Sequence, residues 1–288
     1  MKKNFCLLPK EFSDYKIAKF VILPIPYEKT TTYIKGTKNA PSAIIDASAN
    51  LELYDEELNK NVAEEFGIAT LNTIKITEKE QKMVEKVENA CMKVIIDDKF
   101  PIVIGGEHSI SLGEVIAFKN KYKNFSVLQL DAHADLRDSY ENSIYSHACI
   151  MRRIIEHCDA VQIGIRSLSN EEAELIKEKN LDVFFAHNIR KWNMKDFAKE
   201  ILPKLKKNVF ITVDMDFFDP SLIPSVGTPE PGGFFWYETL DFLREIIKGK
   251  NIVGFDVVEL CPNKNNKSSE FIAAKFIYKL VNFISENF

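Results

Sequence analysis

Nowhere in its 288 residues does the chain carry an apolar run of the roughly 20 residues that a bilayer-spanning helix needs. No membrane association is expected. Lys2 and Lys3 precede an apolar stretch too short for a signal-peptide core, and Pro9 and Glu11 end it. The cysteines, Cys6, Cys91, Cys149, Cys158 and Cys261, are odd in number and scattered, with no C-x-x-C pair. That usage fits reduced thiols acting as small core hydrophobes, so a cytoplasmic location is expected. Basic excess is also missing. A net charge of -4 and a pI near 5.9 argue against a nucleic-acid partner, which usually meets a basic face, and suit a small cationic ligand better.

Neither a linker nor a repeat breaks the pattern, so a single domain over residues 1–288 is expected. Short β-branched runs alternate with amphipathic stretches throughout. Strands are predicted at 19–23, 101–104, 126–130, 160–165, 183–185, 208–213 and 252–255. Helices are predicted at 41–53, 78–97, 109–121, 147–157, 170–179, 194–206, 236–248 and 268–286. Between residues 80 and 94, for example, Met83, Val84, Val87, Ala90, Cys91 and Val94 recur at helical spacing among Lys and Glu. Several strands, such as FVIL and VFITV, are apolar throughout, as strands buried on both faces are. The expectation is an α/β fold: a three-layer sandwich with helices on both faces of a mostly parallel central sheet.

Four of these strands run straight into polar clusters. PIVIGGEHS leads to Glu107 and His108, and SVLQLDAHAD to Asp131, His133 and Asp135. VFITVDMDFFDP leads to Asp214 and Asp216, and NIVGFDVVELCP to Asp256 and Glu259. Ligands of open parallel sheets bind beyond the carboxyl ends of the strands, so the four clusters would form one site. Taken alone, Gly-Gly before a charge is often only a turn, and D-x-D often only a solvated loop. D-x-H-x-D after a buried strand is rarer. Buried carboxylates without partners cost several kcal/mol, so two histidines and four aspartates at one edge are best explained by bound cations. A set of oxygens with one or two imidazoles and no thiolate favours Mn²⁺ over Zn²⁺, Fe²⁺ or Co²⁺, while Mg²⁺ seldom takes imidazole. Fully extended, Asp131 and Asp135 would stand about 13 Å apart, too far for metals about 4 Å apart, so the chain must curl there. The small Ala132 and Ala134 permit it.

At these residues the sequence resembles the ureohydrolase family of arginases and agmatinases over nearly its whole length. PIPYEKTTTYIKGTKNAPSAI is similar to the family's N-terminal segment, with Glu28 where the family often has Asp. IGGEHSI, DAHADLRD, YSHACIMRRI, DMDFFDPSLIPSVGTPEPGG and DVVELCP then follow in the family's order. The resemblance implies two Mn²⁺ per chain in an arginase-like sandwich. One would be held by His108, Asp131, Asp135 and Asp214, the other by Asp131, His133, Asp214 and Asp216. It further implies that His147 shuttles protons, that Glu259 grips the substrate's guanidinium, and that the chain forms a homo-trimer or homo-hexamer. His157 and His187 fall outside every motif.

The chemistry agrees with these residue types. A guanidinium carbon is a poor electrophile and needs a strong nucleophile at neutral pH; a metal can supply one by lowering a water's pKa from 15.7 to about 7. Two dications, four aspartates, a hydroxide and Glu259 sum to about -2, which attracts a cationic guanidino substrate and disfavours the phosphoesterase alternative. The stretch LRDSYENSIYS does not resemble the arginase version, which recognises the amino-acid end of arginine; it resembles the agmatinase type. There Asp138 and Glu141 would either face the substrate's distal amine or stand as solvated loop charges. Agmatine, cleaved to putrescine and urea, is the first expectation and aminopropylagmatine the second, ahead of arginine or guanidinobutyrate.

Overall fold

The computed structural model of the chain describes residues 4–288, so the Lys2 and Lys3 of the N-terminal reading lie outside the described residues. Eight strands build one sheet: β1 (Phe20–Ile25), β2 (Ile68–Thr70), β3 (Phe100–Gly105), β4 (Phe125–Leu130), β5 (Asp159–Ile165), β6 (Asp182–Phe185), β7 (Asn208–Asp214) and β8 (Asn251–Val258). Their order is β2-β1-β3-β8-β7-β4-β5-β6, and every neighbouring pair is parallel.

The apolar runs explain the layers. Alternate residues of one strand enter two separate cores. On β1, Phe20 and Ile22 join the core made with the Ala40–Ser48, Met194–Ile201, Trp236–Gly249 and Ser268–Ser285 helices. Val21, Leu23 and Ile25 join the opposite core, made with the Glu80–Ile96, Ser111–Lys121 and Asn170–Lys179 helices. On β3, Ile102 and Ile104 face the first core and Val103 the second. The three-layer α/β architecture expected from the sequence is therefore present. No helix among the described residues is long and apolar enough to cross a membrane.

One strand was not expected, and three expected helices differ. Strand β2, only IAT, is too short to show a period, and its pairing with β1 makes it a strand. The predicted 147–157 helix is a 3-10 turn at His147–Cys149 followed by a short α-helix at Ile150–Ile154, and the predicted 194–206 helix stops at Ile201 before a 3-10 turn containing Pro203. The first helix ends at Ser48 rather than at residue 53.

Candidate active site

Strands β3, β8, β7 and β4 are consecutive in the sheet, so their carboxyl ends form one continuous edge. The chain runs outward from β1 to β2 on one side and from β4 to β6 on the other, and a crevice at such a reversal is where open α/β sheets bind ligands. The Gly-Gly after β3 has a steric reason: a Cβ on Gly106 would lie 2.0 Å from the Tyr27 carbonyl oxygen. That close approach lets Gly106 N–H bond Ile25 O (3.0 Å) and Glu107 N–H bond Tyr27 O (2.9 Å), and His108 follows in a 3-10 turn at the edge.

His108 is buried, and its Nδ1 lies 3.2 Å from Asp131 Oδ2, 3.3 Å from Asp135 Oδ2 and 3.5 Å from Asp214 Oδ2. None of these oxygens is aligned for a hydrogen bond, so Nδ1 is a buried ring nitrogen with no hydrogen-bond partner among three carboxylates. The curl expected after Asp131 is there: Asp135 has φ +52°, in the left-handed region. On the other side His133 Nδ1 lies 2.8 Å from Asp216 Oδ2 and 3.8 Å from Asp131 Oδ1. Asp214 Oδ1 accepts from Asp216 N–H at 2.8 Å.

The electrostatics match that crowding. Burial, then the charges of Asp216 and Asp135, raise Asp131 to about 7, and burial with Asp216 and Asp131 raises Asp214 well above the carboxylate range. Burial opposes ionisation of Asp216 too, but His133, the Ala132 N–H and Arg166 outweigh it and bring Asp216 to about 2. Desolvation pulls His133 down, yet Asp216, Asp131 and Asp135 push it up to about 11. The same contest leaves His108 well above its ordinary value.

Two sets of donor atoms each converge within 4.8 Å: His108, Asp131 and Asp135, and Asp131, His133 and Asp216. Asp131 belongs to both. The donor chemistry and the unpartnered Nδ1 of His108 fit a pair of divalent cations. Asp214 approaches the first set through Oδ2.

Polar residues deeper in the strands steer these ligands. His108 Nε2 lies 2.8 Å from Thr212 Oγ1, and Thr212 in turn bonds Asp256. Asp256, expected beyond its strand, sits inside β8, where it accepts from Ser111 Oγ (2.5 Å) and Val213 N–H (3.1 Å) and faces no cleft. Gln129 donates to Asp131 Oδ2 at 2.7 Å. Arg166 ties loop ends together through the carbonyls of Gly164, Asp216 and Glu230. Sequence reasoning passed over Thr212, Gln129 and Arg166. The signal for the first two was a polar residue in an apolar strand, two positions before a ligand and so on its face.

His133, Asp135, Asp214, Asp216, His147 and Glu259 all line one cleft. Glu259, at φ +61°, accepts from His108 N–H at 2.7 Å; burial and the nearby Glu107 hold it well above the carboxylate range despite that bond. The wall at Thr31–Ile34 is closed by Glu28, whose carboxylate accepts from the N–H groups of Gly36 and Thr37. Asp138 and Glu141, the other expected substrate contacts, are not among the residues lining the cleft. Arg153 draws Asp138 away at 2.7 Å, leaving its side chain 62% exposed, and Glu141 lies in an exposed turn at φ +47°. His157 and His187 stay outside the cleft, the latter stacked on Phe185.

The model of the arginase family matches residues 18–282. The chain belongs to the arginase family. An N(1)-aminopropylagmatine ureohydrolase of Synechocystis is 41% identical over 97% of this chain and 95% of its own. An agmatinase of Pyrococcus horikoshii is 33% identical over 93% of each. The agmatine ureohydrolase of Thermoplasma volcanium superposes with a TM-score of 0.89 at 32% identity, over 99% of this chain and 95% of that one. This arginase-family ureohydrolase is thus a hydrolase, and the acidic edge of its sheet is a site able to hold metal.

Proposed function

We propose that the chain hydrolyses the guanidino group of a decarboxylated arginine derivative, releasing urea and an amine, with two Mn²⁺. The observation that carries this reading is the meeting of two cation-binding sets, Glu259 and His147 in one cleft. His108, Asp131, Asp135 and Asp214 would hold one ion, and Asp131, His133, Asp214 and Asp216 the other. Ions bound there supply a strong nucleophile at neutral pH by acidifying water. Glu259, buried and short of positive charge, receives the cationic guanidinium and orients its carbon towards the metal edge. Such a cation restores the ionised carboxylate that burial disfavours. His147, across the cleft, gives the departing amine its proton. We also propose a homo-trimer or homo-hexamer in the cytoplasm, checked by light scattering and by fractionation.

Agmatine was the first expectation from the LRDSYENSIYS loop, which resembles the agmatinase type. The 41% identical relative is named for aminopropylagmatine, which favours the longer polyamine. Urea release should be measured with Mn²⁺ on N1-aminopropylagmatine, agmatine, arginine and guanidinobutyrate. Either decarboxylated amine is expected to exceed arginine by at least about a hundredfold in kcat/KM, some 2.7 kcal/mol. Arginine as the better substrate would overturn the reading.

A further inference from the structure

Thr30 meets His147 through its hydroxyl. Its hydroxyl donates to Glu107 Oε1 at 2.9 Å and accepts from His147 N–H at 3.0 Å. The same oxygen lies 3.1 Å from His147 Nδ1. Glu107 is buried and acts as an acceptor on every side: Lys29 N–H at 2.5 Å, Thr30 N–H at 2.6 Å and Ser109 Oγ at 2.5 Å complete its set. Tyr140 meets the imidazole edge-on, with ring centroids 6.4 Å apart and planes at 87°.

A hydroxyl carries one proton and two lone pairs. Thr30 commits its proton to Glu107, so towards His147 it only accepts. The ring nitrogen facing it must then carry hydrogen, in the neutral as well as the charged imidazole. We infer that Thr30, held by Glu107, is a positioning residue that fixes the Nδ1–H tautomer of His147 and leaves Nε2 as the nitrogen that works in the cleft. The inference rests on the proton-carrying role proposed for His147. In that role protonated Nε2–H transfers its proton to the leaving nitrogen as the C–N bond breaks and the bond pair passes to nitrogen. The ring is left neutral with its remaining proton on Nδ1, already bonded to Thr30. A histidine free to turn would spend part of its time as the other tautomer, with the proton on the wrong nitrogen.

The test combines nitrogen-15 NMR of the histidines with kinetics. Protein labelled at histidine and loaded with diamagnetic Zn²⁺ is recorded above the titration of the ring, and the His147→Asn spectrum assigns the signal. The wild type should show a protonated Nδ1 and an unprotonated Nε2. Thr30→Ser, which keeps the hydroxyl, should keep that tautomer and turn over within about threefold of wild type. Thr30→Val, similar in shape without the hydroxyl, should shift the ring to Nε2–H. It should also lower kcat about 10–100-fold with KM changed less than about twofold, the usual scale for losing an orienting partner. An Nε2–H tautomer in the wild type overturns the inference, as does a Thr30→Val protein with unchanged tautomer or unchanged kcat. If no guanidino substrate releases urea, the proposed activity fails, while the spectra still decide whether Thr30 sets the ring.

Discussion

His108 reaches Thr212 through Nε2 at 2.8 Å, and Thr212 leans on the buried Asp256. His147 reaches Thr30 through Nδ1 at 3.1 Å, and Thr30 leans on the buried Glu107. Each imidazole thus hangs from a threonine backed by a carboxylate, tied by opposite nitrogens. What differs is the surroundings of the free nitrogen. That of His108 is sealed among Asp131, Asp135 and Asp214, where a cation fits. His147 is only half buried and lines the cleft, where a substrate can reach it. The tether orients the ring; the neighbours of the other nitrogen decide whether it suits holding metal or moving protons.

The harshest way to break this contrast is to remove a carboxylate from the metal side. Asp131→Ala and Asp214→Ala are expected to lose both metals and at least about 10³-fold in turnover, because several kcal/mol of metal-derived stabilisation disappears. Asp216→Ala should mainly weaken one metal. Full metal occupancy in the Asp131 variant, read by elemental analysis, would refute its place in both sets.

On the cleft side, His147→Asn should keep both metals and nearly normal substrate binding while kcat falls about 10²–10⁴-fold. Metal content and kcat measured on one preparation decide the matter. Lost metal would move His147 to the ligand side of the comparison, and an unchanged kcat would make it a bystander.

The two tethers should also fail differently. Thr212→Val frees His108, and a drop of about 10–100-fold in metal affinity is expected by titration. Thr30→Val should leave metal affinity within about threefold, since no proposed ligand depends on it. Equal effects in the two variants would erase the distinction.

The smallest effect is the pH dependence of stability after chelation. Asp131, raised to about 7, and His133, raised to about 11, both bind protons more tightly folded than unfolded. A raised carboxylate loses stability as pH climbs from about 4 to 7, and a raised histidine loses it from about 6.5 to 11. The signs agree, so the Tm of chelated protein should fall between about pH 6 and pH 9, while the increment from added Mn²⁺ grows. A Tm that rises over that range would contradict the charge crowding described for the site.

Much of this was legible without coordinates. Apolar runs too uniform for a one-sided sheet required burial on both faces, and β1 and β3 divide their side chains between two cores. The separation of Asp131 from Asp135 required a curl, and Asp135 at φ +52° makes it. What stayed hidden depends on partners far away in sequence. The LRDSYENSIYS loop placed Asp138 and Glu141 near the site along the chain, but Arg153 and an exposed turn set where they point. Thr30 is 117 residues from His147, and Thr212 is 104 from His108. The sequence by itself determined the α/β layering and the strand ends that carry the ligands, because periodicity and motif spacing are local. Only the tertiary structure decided which hydroxyl holds which ring nitrogen and which acids face the cleft, because hydrogen bonds are directional and form between segments that the sheet alone brings together.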